Sequence, residues 1–430
     1  MSSVPLYLKP NVRIEGLVNQ FVAWLHTIAP VQAAMNLANV QLPLLDSYLA
    51  QPEMHRAAAA EPQLKGGSFI NVDVRRAGEV SALRDEIRRD NAVALELAAA
   101  VREADAMLRD NATGYALTPL YDRLPPVLRG HTEFVYDMGN QPSLRFLEPL
   151  LYRGPWYRTG QQSVRLSLDD GSEPPFILTT PRLPEPGALQ LRLPLRHAGI
   201  DEFFRLRAKP QPFGQIREAL EIEDAAAADQ LRQFLTPEQA EPADREVASG
   251  GRIRYLGHAC LLLQSGTTSI ITDPFISSNP AAGDRFTYAD LPDHIDFCLI
   301  THGHQDHVVL ETLLQLRGKI EVVVVPRSGG GSLPDPSLKL LLEQLGFTVT
   351  EVDSFDEVRF PGGRIVATPF LGEHCDLDIR AKTTYWIRLA GRSVFVGADT
   401  CAVQPELYDR IHAALGPADI GFIGMECDGA

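Results

Sequence analysis

Long apolar runs are missing from this chain of 430 residues: no window approaches the roughly 18 uninterrupted apolar residues that a membrane-spanning helix requires. The start, Met1 to Lys9, also lacks the charged residues and following apolar stretch of a signal peptide, so a cytoplasmic protein with no membrane partner is expected. Positive charge is scarce. Lys and Arg number 40 against 55 Asp and Glu, and the formal net charge of −15 argues against a surface built for nucleic acid, which needs clustered cations. Cysteine is scarce too. Cys260, Cys298, Cys375, Cys401 and Cys427 are odd in number, widely spaced and without Cys-x-x-Cys pairs, which argues against a disulfide framework and leaves most of them as small buried hydrophobes.

What is present suffices for a large core, since 45% of residues are hydrophobic. The length suggests two or three domains. Residues 236–250 are polar, contain Pro237 and Pro242 and show no apolar periodicity, so they read as a linker between a domain at 1–235 and another at 251–430. In the first domain Asp85–Asp110 has the three- and four-residue apolar spacing of one long helix, and Asp201–Phe234 reads as a further helical region interrupted around Pro210 and Pro212. Strand-like alternation occurs at Ser163–Leu168 and Ala188–Leu193, giving a mixed α+β domain in which no motif has catalytic spacing. After Gly250 the texture changes to short, mostly apolar runs such as Cys260–Leu263, Phe297–Ile300 and Ser393–Val396. Helical stretches at Val308–Leu316, Pro336–Leu345 and Gln404–Leu415 intervene, the pattern of an α/β layered domain.

Chemistry concentrates where one of these runs ends. Directly after Ile300 comes Thr301-His302-Gly303-His304-Gln305-Asp306-His307, with four potential metal ligands within six residues. A loop leaving a strand end can turn such closely spaced imidazoles and carboxylates onto a common centre, and this spacing suits two neighbouring metals. Two later strand-end loops offer partners: Glu373 and His374 in one, Asp399 in the other. Glu373 and His374 are adjacent, so either both bind metal or one supports the other. Asp273, closing the run Ile270–Thr272, reads as a hydrogen-bond acceptor for a ligand His or as a turn cap. His258 reads as a structural histidine between strands, and Cys375 and Cys401 flank the site loops.

Gly257-His258-Ala259, Thr272-Asp273-Pro274, the 301–307 segment and Gly397-Ala-Asp399-Thr400 resemble, in this order, the metallo-β-lactamase superfamily. That resemblance implies an αββα sandwich with a binuclear site on one edge. Tyr7–Val12, Val18–Phe21, Ala33–Leu37, Leu44–Tyr48 and Gly372-Glu373-His374 resemble, more narrowly, the diiron β-hydroxylases of nonribosomal peptide pathways. This second resemblance implies two iron ions, with His302, His304 and Glu373 on one and Asp306 and His307 on the other. Asp399 bridges them, Glu373 and Asp399 are catalytic, and Asp273 and His374 lie just behind. Three carboxylates favour iron over the alternative, zinc, because they make a harder and more anionic site. The implied reaction is O2-dependent β-hydroxylation of an aminoacyl group on a peptide-synthetase carrier domain, with an electron donor as a further partner and an N-terminal domain that serves dimerisation and carrier contact. The alternative is a binuclear hydrolase of a thioester, lactone or phosphodiester. One departure stands out: the superfamily fold normally supplies another His after the bridging Asp, whereas only His412 follows Asp399, within an apparent helix. A chain incomplete at its C-terminus is therefore expected.

Overall fold

The computed structural model describes residues 4–171, 177–240, 244–278, 285–372 and 377–424. In the second half, six strands form one sheet in the order Val349–Val352, Ile320–Pro326, Ile295–Leu299, Ser269–Thr272, Cys260–Ser265, Gly251–Gly257. The first four run parallel to one another. Five more strands, from Glu357–Phe360 to Ile420–Phe422, form the second sheet. Side chains on a strand alternate between faces, and here the alternation sorts the layers. Leu261, Leu263, Ile270, Leu299 and Val324 point into the space between the sheets, where they meet Ile365, Tyr385, Ile387, Val394 and Val396. Their neighbours Leu262, Ile271, Cys298, Val323 and Val325 face the other way, into a core shared with the helices Leu310–Leu316 and Leu338–Gln344. Both faces are covered, which explains why these strands are apolar throughout. Helix Glu406–Leu415 carries Tyr408, packed edge-on against Phe395 of the second sheet, and the expected αββα order results.

The N-terminal half contains a four-stranded sheet in the order Phe21–Val22, Val12–Val18, Gln162–Leu168, Leu189–Leu191. Its Ile14, Leu166 and Leu195 join the same core as Leu313 and Leu314. Arg317, almost fully buried, donates to the carbonyls of Leu195, His197 and Leu345 and pairs with Asp201 at 2.8 Å. The two halves are thus welded face to face. Segment 236–250 is itself partly built in: Leu235–Thr236 pairs with Tyr7–Leu8, and Asp244 accepts from Arg252 and Arg254.

One helical expectation is corrected. Asp85–Asp110 is not one helix but two, Ala77–Asp90 and Ala92–Asn111, separated at Asn91. The buried Asn91 amide donates to the carbonyl of Ile87 and to the side chain of Asn19, so tertiary hydrogen bonding breaks a continuous apolar period. Region 201–234 is helical with the expected interruption around Pro210 and Pro212, and comprises the short helices Ala198–Arg205, Phe213–Ala219 and Ala225–Arg232.

Glu148 sits in the seam between the halves, buried, accepting from the Ser337 amide at 3.0 Å. Burial outweighs that one hydrogen bond and pushes its carboxyl up to about 7. A carboxyl whose pKa rises on folding contributes stability at pH below its unfolded value that is lost as pH climbs through the folded value. The glutamine variant keeps an acceptor for Ser337 and cannot ionise. Glu148→Gln is therefore expected to melt like the parent at pH 4 but at a higher temperature at pH 8; parallel melting curves at both pH values would show that the charge is irrelevant.

Candidate metal centre

The carboxyl ends of several strands meet on one edge of the sandwich, the position at which α/β sheets commonly bind ligands. After Thr272 the chain turns sharply at Asp273, whose φ is +33° and whose side chain is wholly buried. The turn aims the carboxylate at the neighbouring strand end. Oδ1 accepts the Thr301 amide at 2.8 Å, while Oδ2 accepts the Thr301 hydroxyl at 2.6 Å and faces His307 Nδ1 at 2.9 Å. Asp273 is therefore an orienting acceptor for the histidine loop.

Along that loop His302, His304 and His307 converge, with ring centroids 4.7 Å apart for 302 and 304 and 4.0 Å for 302 and 307. His302 and His307 are fully buried, and the strand-like pairing of His302 with Lys382 pins the backbone there. Donor atoms fall into two adjoining groups, His302–His304–Asp399 and His258–Asp306–His307, each with its atoms within 4.8 Å of one another. Asp399 Oδ2 lies between them, 3.0 Å from His307 Nε2 and 3.7 Å from His302 Nε2. Imidazoles and carboxylates in two groups linked by one shared carboxylate match the donor chemistry of a pair of first-row metal ions. A third group, His294, Asp296 and Glu321, lies at the opposite ends of the strands, where Asp296 already accepts from Ser269.

The electrostatics are those of a preorganised donor set. Burial pulls His307 down, but its hydrogen bonds to Asp273 and Asp399 prevail and push it up to about 10. Asp306 is held well below the usual carboxylate range, chiefly by its hydrogen bond from His258. Burial raises Asp399, yet the bond and charge of His307 leave it lowered on balance.

His258 reads from sequence as structural and not as a ligand, and the structure gives it a specific partner. With φ at +51°, it directs Nε2 to Asp306 Oδ2 at 2.8 Å and stands edge-on to His307. Its position between a glycine and a strand start was the available signal. The N-terminal half is not silent either: Gly303 lies against Leu25, so close that an added Cβ would come within 3.3 Å of Leu25 Cδ2. Next to Leu25, half-buried His26 stacks on Trp24 at 4.6 Å, and burial first, then the His304 charge, lowers its pKa. No sequence pattern marks this contact.

Glu373, His374 and Cys375 lie outside the described residues. The chain just before them is stitched to the Asp399 loop, because the amides of Leu371 and Cys401 bond Thr400 Oγ1 and the carbonyl of Leu371 respectively. Gly372 has φ +88°, and a Cβ there would stand 1.7 Å from Cys401 Sγ, so only glycine fits. Cys401 donates to the Leu371 carbonyl. Asp399 is thus bracketed by the segment leading to Glu373. His412 is exposed on its helix and belongs to neither donor group.

Fold and site define a protein of the αββα metallo-β-lactamase class, with ligand loops gathered at one sheet edge. A family model for the diiron non-heme β-hydroxylase N-terminal domain matches residues 7–239, and one for the β-lactamase superfamily domain matches 268–427. The 4-amino-L-phenylalanyl-[CmlP-peptidyl-carrier-protein] 3-hydroxylase of Streptomyces venezuelae is 35% identical over 433 residues, covering 98% of this chain and 81% of that protein. The crystal structure of CmlA, a diiron β-hydroxylase from Streptomyces venezuelae, superposes with a TM-score of 0.90 at 33% identity, over 100% of this chain and 81% of the other. A metal-dependent hydrolase of Nitratidesulfovibrio vulgaris is 31% identical over 158 residues, 32% of this chain and 64% of its own length. The chain belongs to the diiron non-heme β-hydroxylase family. Among the described residues, no helix is long and apolar enough to cross a membrane.

Proposed function

We propose that this protein is a diiron oxygenase that hydroxylates the β-carbon of an aminoacyl group held as a thioester on a peptide-synthetase carrier domain. The observation that carries the proposal is Asp399, placed by its Oδ2 between the two histidine-containing donor groups. Support for the substrate comes from the relative whose name specifies an aminoacyl group on a peptidyl carrier protein.

In this reading His302, His304 and Glu373 would hold one iron and Asp306 and His307 the other, with Asp399 available to either. Bound iron supplies the redox-active centre that O2 chemistry needs and that zinc lacks. The protein's own residues do the rest. Asp273 keeps a proton on His307 Nδ1, which leaves the Nε2 lone pair to the metal. His258 holds Asp306 in place, and Leu25 of the N-terminal half packs against Gly303 of the histidine loop. One oxygen atom enters the C–H bond and the other leaves as water, so each turnover consumes two electrons and two protons from an external donor.

The test is single-turnover reaction of chemically reduced, iron-loaded protein with a loaded carrier domain under labelled O2. The product is expected to gain one labelled oxygen at the β-carbon. Release of the free amino acid by zinc-loaded protein, without O2 uptake, would establish a hydrolase instead.

A further inference from the structure

A cleft of about 640 Å³ opens between the two halves, away from the donor groups. Cavities of this size, in the range of roughly 300–1,000 Å³, accept small-molecule-sized ligands and favour domain interfaces. One wall is the helix Ala92–Asn111 together with the hairpin Thr132–Tyr136 and Pro142–Phe146; the other is the 329–334 loop; Asp378 and Arg380 complete the lining.

We propose that this cleft receives the phosphopantetheine arm that carries the substrate, a step that rests on the carrier-bound reading above. One segment of its lining continues along the chain to the metal loops. Buried Asp335 accepts the amides of Arg380 and Ala381 at 3.0 and 3.2 Å, and also that of Gly329, which fastens the two cleft segments together. Two residues beyond Arg380, Lys382 pairs with His302 and donates from Nζ to the Gly372 carbonyl at 2.7 Å. At about 3.3 Å per extended residue, only some 7 Å of chain separates the cleft lining from the histidine loop.

The chemistry of the lining fits the arm. Apolar Met35, Val101 and Leu333 suit its methylene and gem-dimethyl groups, and hydroxyls of Ser143 and Ser332 suit its amides. Four arginines line the cleft against three aspartates, a local reversal of sign in a chain of net charge −15. Arg145 is half-exposed and only loosely paired, 3.7 Å from Glu133, so its guanidinium is available to a phosphodiester. At the hairpin tip Met138 is fully exposed, and Tyr115, next to the Gly114 that bonds Tyr136, is 88% exposed.

Ser143 and Arg145 are exposed positions on one face of the same strand, so both tolerate replacement. Titration of the iron-loaded protein with 4′-phosphopantetheine, followed by ligand-observed NMR, is expected to show saturable binding. Ser143→Trp, which fills the cleft, is expected to weaken it about tenfold or more. Arg145→Glu is expected to weaken phosphopantetheine by a similar factor and leave unphosphorylated pantetheine unchanged, with iron content and melting temperature as in the parent. Absence of binding to the parent, or parental binding by both variants, overturns the proposal. Because the readout is binding, it stands apart from hydroxylation: a parent that binds the arm but fails to hydroxylate a loaded carrier overturns the proposed function and not the cleft.

Discussion

Asp399→Asn is expected to lose one of its two irons per chain and to become inactive in hydroxylation. The substitution preserves shape and removes one negative charge from the only residue, among those described, whose carboxylate reaches toward both donor groups. An amide oxygen is a much poorer ligand than a carboxylate, and an amide nitrogen does not bridge metals at all. Loss of an outer hydrogen-bonding partner typically costs about 10–100-fold in metal affinity or activity, and loss of the shared ligand is expected to exceed that. Iron analysis after desalting, alongside single-turnover product yield, measures both effects. A variant with two tightly held irons and parental yield would remove Asp399 from the centre.

Asp273→Asn is expected to be nearly as damaging although Asp273 touches no metal in the proposed site. All of its side chain is buried, and its two oxygens accept from the Thr301 amide, the Thr301 hydroxyl and His307. Asparagine can satisfy the Thr301 amide with its oxygen, but its NH2 then faces His307 Nδ1. That donor forces the proton of a neutral His307 onto Nε2, the atom needed for the metal. Affinity at the His307 position is expected to fall about 10–100-fold. The metal-free protein is also expected to be destabilised by roughly 3–5 kcal/mol, the usual cost of removing one partner of a buried charged pair. Metal titration and denaturant unfolding of the metal-free form check the two parts separately. Wild-type metal affinity combined with lowered stability would reduce Asp273 to a turn residue.

Much of the centre was legible without a structure, for a local reason. His302, His304, Asp306 and His307 are within six residues of one another after an apolar strand, so their convergence needs only a single loop. Asp273 and Asp399 were legible as strand-end acids and candidate partners of the histidine loop, but not which ring each would meet. They stand 34 and 92 residues from His307, and only the sheet order brings them within 3.0 Å of its ring. The partner of His258 was not legible for the same reason, since Asp306 is 48 residues away. The helix break at Asn91 escaped detection because its cause, Asn19, lies in the distant strand-and-turn region of the chain.

By itself the sequence determined the alternation of apolar strands and helices, a layered α/β second half, and the identity of a histidine-rich metal loop. These depend on period-two side-chain placement and on spacing within short segments, both of which are local. The tertiary structure alone decided how closely Asp399 approaches His302 and His307, that His258 supports Asp306, and that Leu25 and His26 of the first half reach the loop of the second. It also decided that the two halves share a core and enclose a cleft between them. Such features depend on packing between segments far apart in the chain, where a residue's partner is chosen by the sheet and the shared core and leaves no pattern in its own neighbourhood.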